Sequence, residues 1–212
     1  MMTVTAILLS WKRQLNMDAI VQALRAQTVP VEVWLINNFD MAHYGADRAV
    51  HIPWNAGEWA RYPFAARAET EYVMFQDDDF MLGDDWFLEG AIKIHNEHCP
   101  DNLLGVAGRG LQTESPHYAP DIVNRDGHAP ILKGHFQLFK PEVTRRARMA
   151  RHPSASDIYW ALDIGGGDPV HWVSADLGRR LKTLDRHGVG YEFRPEHYTE
   201  REEACEAWLH NQ

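Results

Sequence analysis

The run "TVTAILLSW", residues 3–11, sets one apolar residue after another without alternation. A strand that wets one face alternates apolar and polar residues; a strand covered on both faces does not have to. This run therefore predicts a doubly buried strand. Asn16 stands where it can cap a following helix, in which Met17, Ile20, Val21 and Leu24 fall at i, i+3, i+4 and i+7 on one stripe. Pro30 closes that unit. "VEVWLINN" supplies a second strand, "AVHIPW" a shorter third, and "YVMF" another after the polar and aromatic stretch "NAGEWARYPFAARAET". Strand, helix and strand at this cadence predict an α/β fold, with a mostly parallel sheet flanked by helices.

Beyond residue 80, Leu88, Ala91, Ile92 and His95 continue a helical stripe behind Asp84 and Asp85, which suit a helix N-terminus. "LLGVAG" and "ILKGHFQLF" read as strands. Residues 112–130, rich in Pro, His, Asp and Asn, read as one long loop, a length often reserved for lids or binding loops. "VTRRARMARHPSAS" is basic and irregular. "DIYWALDI" is a short helix stopped by Gly165, Gly166 and Gly167, and "VHWV" a short strand. Ser174 is placed to cap a helix bearing Leu177, Leu181 and Leu184. Thr199 and Glu202 have the spacing of a capping box for a last helix.

The 212 residues fit one large domain or two small ones, and we expect a single domain over 1–212. A 45% hydrophobic content supports a substantial core, and a formal charge of −9 argues against a generally basic nucleic-acid-binding surface. Cys99 and Cys205 have no metal-type spacing and form no disulfide framework, which fits a reducing, cytoplasmic setting. No apolar stretch approaches the roughly 18 residues of a transmembrane helix.

Three consecutive carboxylates, Asp77, Asp78 and Asp79, end the strand "YVMF". Ligands of open α/β sheets bind beyond the carboxyl ends of strands. A divalent cation would relieve the crowding, and hard cations such as Mg²⁺ or Mn²⁺ take oxygen ligands together with substrate phosphates. The alternative is a solvated acidic turn that caps the next helix.

With this company the chain resembles the GT-A-fold glycosyltransferases, which use nucleotide-sugar donors and a divalent metal at an Asp-x-Asp motif. Residues 3 to about 175 follow their order of a nucleotide-binding βαβ half, the Asp-x-Asp and an acceptor half. The resemblance divides the chain into a nucleotide-sugar-binding half, 1–80, and an acceptor and catalytic half, 81–212. "RYPFAARAETEYVMFQDDDF", "VWLINN", "LGVAGRG" and "SDIYWALDIGGGDPVHWV" are similar in order and spacing to segments of the exostosin-like glycosyltransferases. The broader family-2-type inverting transferases are similar as well. Where these families often carry Glu-Asp, this chain has Ser156-Asp157.

The resemblance implies Mn²⁺ or Mg²⁺ at Asp77 and Asp79, with Asp78 near the donor ribose or sugar. Ser10, Trp11 and Arg13 would meet the nucleotide; Arg13 has a guanidinium fork suited to phosphate, or it is a helix-start arginine in solvent. Asn37 and Asn38 take the base-recognition place, or form an Asx turn. Arg61 would offset diphosphate charge, and Arg109 would face the donor sugar or the acceptor. Asp157 is the expected catalytic carboxylate, against the simpler role of helix cap; Asp163 is its fallback. His171 is the expected third metal ligand, in competition with His187 and His197. Tyr159, Trp160 and Trp172 are candidates for an aromatic sugar platform. The run containing Arg145, Arg146, Arg148 and Arg151 is a solvated face or a hold for an anionic acceptor.

The expected function is a metal-dependent glycosyltransferase that moves a sugar from a nucleotide-diphosphate donor, a UDP-sugar first, to a hydroxyl acceptor. That acceptor is a glycan, small molecule, protein or modified nucleic acid. The alternatives are a non-catalytic nucleotide-sugar- or carbohydrate-binding module and a glycosyltransferase acting on a nucleic-acid base. A nucleotidyltransferase would need a glycine-rich phosphate loop after the first strand, which "SWKRQLNM" does not offer.

Overall fold

The computed structural model describes residues 2–38, 41–122, 125–148, 155–184 and 196–211. Arg151 and His187 lie outside them. The N-terminal part runs β1 (Val4–Ser10), α1 (Gln14–Arg25), β2 (Val31–Asn37), β3 (Arg48–His51), a 3-10 turn (Glu58–Arg61), α2 (Tyr62–Ala65) and β4 (Tyr72–Gln76). It continues through β5 (Phe80–Leu82), α3 (Phe87–His98), β6 (Leu104–Gly105), β7 (Gly108–Leu111), β8 (Tyr118–Ile122), β9 (Gly127–Ala129), β10 (Ile131–Leu132) and β11 (Phe136–Phe139). A second 3-10 segment (Pro141–Arg146), α4 (Ser156–Gly165), β12 (His171–Val173), α5 (Ala175–Arg180), β13 (Leu181–Thr183) and α6 (His197–His210) follow.

The main sheet has eight strands in the order β3-β2-β1-β4-β11-β6-β12-β9. Its first four pair in parallel, and β11 joins β4 antiparallel. The sheet thus takes strands from both halves of the sequence. Period-two alternation sends each strand's side chains to opposite faces. Val4, Ala6 and Leu8 of β1 pack with α1 and α3, while Ile7 packs with Tyr62, Phe75 and Trp160 on the other face. Both faces are covered, so β1 carries apolar residues throughout.

Several local expectations are corrected. The stretch 112–130 is not one loop: β8 pairs antiparallel with β7, and β9 with β12. These short polar strands form because partners exist, a condition that no local pattern encodes. Ser174 does accept the Leu177 N–H, but the helix ends at Arg180, and Leu181 and Thr183 pair with Leu82 and Phe80. Thr199 and Glu202 form no capping box. The helix starts earlier, at His197, and the Glu202 carboxylate accepts the main-chain N–H groups of His117 at 2.6 Å and Tyr118 at 2.7 Å. The aromatic platform dissolves: Trp160 is buried and stacked on Tyr62 with centroids 4.7 Å apart, and Trp172 stacks on His98.

Asp163 is also structural. It accepts from the Arg148 main-chain N–H at 2.9 Å, from Arg148 Nε at 3.0 Å and Nη2 at 2.7 Å, and from Trp208 Nε1 at 3.0 Å. It thereby ties α4 to α6. Asp163→Ala strands the indole donor and should cost about 2–3 kcal/mol. Chemical denaturation should show that loss, whereas a catalytic role would leave stability unchanged.

Candidate functional site

Strand order reverses between β1 and β4. The chain steps outward from β1 to β2 and β3, then returns across β1 to build β4. Beyond such a switch point the connecting segments diverge and leave a crevice. Here it holds a cavity of about 340 Å³, lined among others by Trp11, Arg13, Glu58, Asp77, Asp78, Asp79, Arg109, Lys133, Asp157 and Arg201. Lys12, in the turn that leaves β1, has a φ of 60°, unusual for a residue with a side chain.

The crowded aspartates have arginine counterions inside the protein. Arg13 Nη1 lies 2.5 Å from Asp78 Oδ1 and 3.5 Å from Asp79 Oδ2. The Trp11 main-chain N–H adds a bond to Asp78 Oδ2 at 3.0 Å, and Asn16 Nδ2 donates to the Asp78 carbonyl. Asn16 thus ties the aspartate segment after β4 to α1 and does not cap the helix. Burial pushes the Asp78 carboxyl up despite the opposing pull of Arg13. Arg61 Nη1 lies 3.1 Å from Asp77 Oδ1. Arg61 is 1% exposed; it is a buried counterion to Asp77 and does not line the described cavity.

Asp77 keeps a quarter of its side chain exposed. Gly134 permits this: a Cβ there would stand 2.8 Å from Arg61 Nη2 and 3.1 and 3.2 Å from the Asp77 oxygens. Among the described residues no three His, Cys, Asp or Glu side chains gather to hold a cation unaided. The donor set still fits a hard divalent cation, which is commonly held by one or two carboxylates with substrate phosphates. Asp77 and Asp79 line the cavity and supply that number.

At the other end, Asp157 Oδ2 accepts from Arg201 Nη2 at 2.6 Å, and Oδ1 accepts the Ile158 N–H. The cap role is not realised, because α4 begins at Ser156 behind Ala155. Arg201 Nε donates to the Tyr118 hydroxyl, whose pKa burial pushes up to about 12. Arg109 donates to the Ala119 carbonyl and lies over the rings of Tyr118 and Tyr198. Glu58 also lines the cavity; its Oε2 is shielded from solvent and has no hydrogen-bond partner among the described residues. Burial, then the charge of Asp157, pushes its carboxyl up to about 8.

Other expected site residues lie elsewhere. His171 is fully buried; Nδ1 meets the Leu103 N–H at 3.3 Å and Nε2 the Ala161 carbonyl at 2.8 Å. With both nitrogens engaged and burial driving its pKa down to about 4, it is a neutral core histidine and not a metal ligand. Ser10, Asn37 and Asn38 are buried at the ends of β1 and β2 and do not line the described cavity. Asn37 Nδ2 donates to the Ala42 carbonyl, and the Asn38 amide has no partner among the described residues. His197 lines the cavity. In the basic run, Arg146 donates to Asp101 and Asn102 and Arg148 to Asp163. Sequence reading left Glu58, Tyr118, Lys133 and Arg201 unassigned. Glu58 carried one weak signal, an acid inside an aromatic stretch; Arg201 was hidden among the charges of "TEREEACEAW".

No protein-family model and no curated protein matches this sequence. Solved structures do match. A mannosyltransferase, PcManGT, from Pyrobaculum calidifontis in complex with GDP-Man and Mn²⁺ is 19% identical with a TM-score of 0.57, covering 81% of this chain and 56% of that one. S. aureus TarS 1-349 in complex with UDP-GlcNAc is 15% identical with a TM-score of 0.63, covering 89% and 60%. The chain therefore spans little more than half of either. With the mixed eight-stranded sheet flanked by helices, these likenesses establish an α/β GT-A fold. Among the described residues no helix is long and apolar enough to cross a membrane.

Glu58 gives a pH prediction with a definite sign. A carboxyl at about 8 in the fold and near 4.5 when unfolded leaves stability untouched below 4.5. Stability then falls as pH rises toward 8 and levels off above it, because the folded state holds the extra proton in that window. Glu58→Gln should melt higher than the wild type, with a gap that opens between pH 4.5 and 8. A gap independent of pH would contradict the assignment.

Proposed function

We propose that the protein is a metal-dependent glycosyltransferase, transferring a sugar from a nucleotide-diphosphate donor to a hydroxyl acceptor. The observation that carries this reading is the gathering of Asp77, Asp78 and Asp79 with the Asp157–Arg201 pair around one cavity, at the switch point of a GT-A sheet. Support also comes from two structural neighbours, one solved with GDP-Man and Mn²⁺ and one with UDP-GlcNAc.

In this reading Asp77 and Asp79 hold Mn²⁺ or Mg²⁺, which when bound neutralises charge on the departing diphosphate. Arg13 and the Trp11 N–H fix Asp78 toward the donor ribose or sugar. Arg109 and Lys133 add positive charge to the cavity wall. Asp157, held in one orientation by Arg201, takes the proton of the acceptor hydroxyl. Arg201 acts through that orientation and through Tyr118. We place the enzyme in a reducing, cytoplasmic compartment, since both cysteines are free and buried. An acceptor held by the basic run, nucleic acid included, has less support, because Arg146 and Arg148 are engaged with the protein.

The test is nucleotide release from UDP-glucose, UDP-GlcNAc and GDP-mannose with Mn²⁺, with Mg²⁺ and with chelator. Release from one donor that stops with chelator is expected. Asp79→Ala should lower it on the order of 10²–10³-fold while the circular dichroism spectrum stays unchanged. Full turnover in Asp79→Ala would sink the metal assignment.

Asp157→Asn separates an enzyme from a binding module. Donor affinity should persist while transfer falls roughly 10²–10⁴-fold. Calorimetry with UDP and Mn²⁺ beside the rate measurement reads both quantities. A substituted protein that transfers as fast as the wild type would remove Asp157 from the chemistry.

A further inference from the structure

Glu58 follows Gly57, whose φ of 67° is a left-handed conformation that glycine adopts readily. The turn brings a carboxyl to the cavity wall, and its Oε2 is shut off from solvent with no hydrogen-bond partner among the described residues. Asp157, on the same cavity, behaves differently: it binds Arg201 and the Ile158 N–H. Buried polar atoms are nearly always satisfied, and an exception within a binding cavity points to a ligand.

The position of Glu58 narrows the choice of ligand. Glu58 lines the same cavity as Asp77 and as the Asp157–Arg201 pair, and the charge of each acts on it. Under the glycosyltransferase reading the diphosphate lies against Asp77–Asp79, and the acceptor hydroxyl against Asp157. The sugar in transit is bonded to the first and attacked by the second, so it lies between them. Glu58 borders that interval. Burial and the charges of Asp157 and Asp77, against the opposing pull of Arg61 and Arg201, favour the protonated carboxyl at neutral pH. A neutral carboxyl both donates and accepts hydrogen bonds, as a sugar hydroxyl does.

We infer that Glu58 is a specificity-determining residue that hydrogen-bonds a hydroxyl of the transferred sugar through Oε2. The inference rests on the glycosyltransferase reading and adds to it the group that distinguishes one sugar from another. The ligand class is a pyranose carrying a free hydroxyl toward the 3-10 turn, and not the nucleotide.

The test is calorimetry at pH 7 with Mn²⁺, comparing UDP, UDP-GlcNAc, UDP-glucose and GDP-mannose on the wild type, Glu58→Ala and Glu58→Gln. UDP should bind all three proteins equally. The sugar nucleotide preferred by the wild type should bind Glu58→Ala roughly tenfold more weakly, the size of one hydrogen bond. Glu58→Gln, whose amide also donates and accepts, should recover most of the loss. Should the alanine variant not fold, Glu58→Asp withdraws the carboxyl by one methylene and should show the same selective loss. Equal weakening of UDP and sugar nucleotide would mean a structural role and overturn the inference, as would equal sugar affinity in wild type and variant. A wild type that binds sugar nucleotides no better than UDP would overturn it too, leaving the nucleotide site intact. A wild type that binds no nucleotide would overturn the glycosyltransferase reading beneath it.

Discussion

Three adjacent carboxylates at the end of a fully buried strand repel one another and resist desolvation, and the site depends on how that cost is offset. Arg13 comes from the turn after β1 and meets Asp78 and Asp79; Arg61 comes from the 3-10 turn and meets Asp77. Each pair joins segments distant in sequence. Breaking one partner of a buried pair is far costlier than never having built it, because the remaining charge is stranded. The pairs therefore hold the aspartates in place.

A second pair closes the other end. Asp157 from α4 and Arg201 from α6 meet beneath Tyr118, and Glu202 on the same helix holds the main chain that leads into Tyr118. α6 thus brings its arginine to the site by the same contact that anchors it. The two ends leave between them a cavity whose acids and bases nearly balance, and among the described residues Glu58 Oε2 has no hydrogen-bond partner there. Such a cavity suits a ligand with both anionic and neutral polar parts.

Legibility differed sharply between elements. β1, α1, β2, β4 and α3 were readable because each buries a continuous run or a stripe, and burial leaves a periodic trace in the chain. β8, β9 and β13 left no such trace: they are short, and they exist because another strand's edge lies beside them. The same distinction holds in the site. Asp77–Asp79 announced themselves through the cost of their adjacency. His171 was a ligand candidate through the family resemblance, and its two main-chain partners, Leu103 and Ala161, come from separate parts of the chain.

The sequence by itself determined the α/β cadence, the doubly buried central strands and the acidic cluster at a strand's carboxyl end, because burial and charge crowding are written locally. Only the tertiary structure decided which arginine faces which aspartate, that Asp157 joins Arg201 and does not cap its helix, and that Glu58 Oε2 has no hydrogen-bond partner among the described residues. Those relations link residues 16 to 65 positions apart. They depend on distance in space, which a periodic pattern along the chain does not carry.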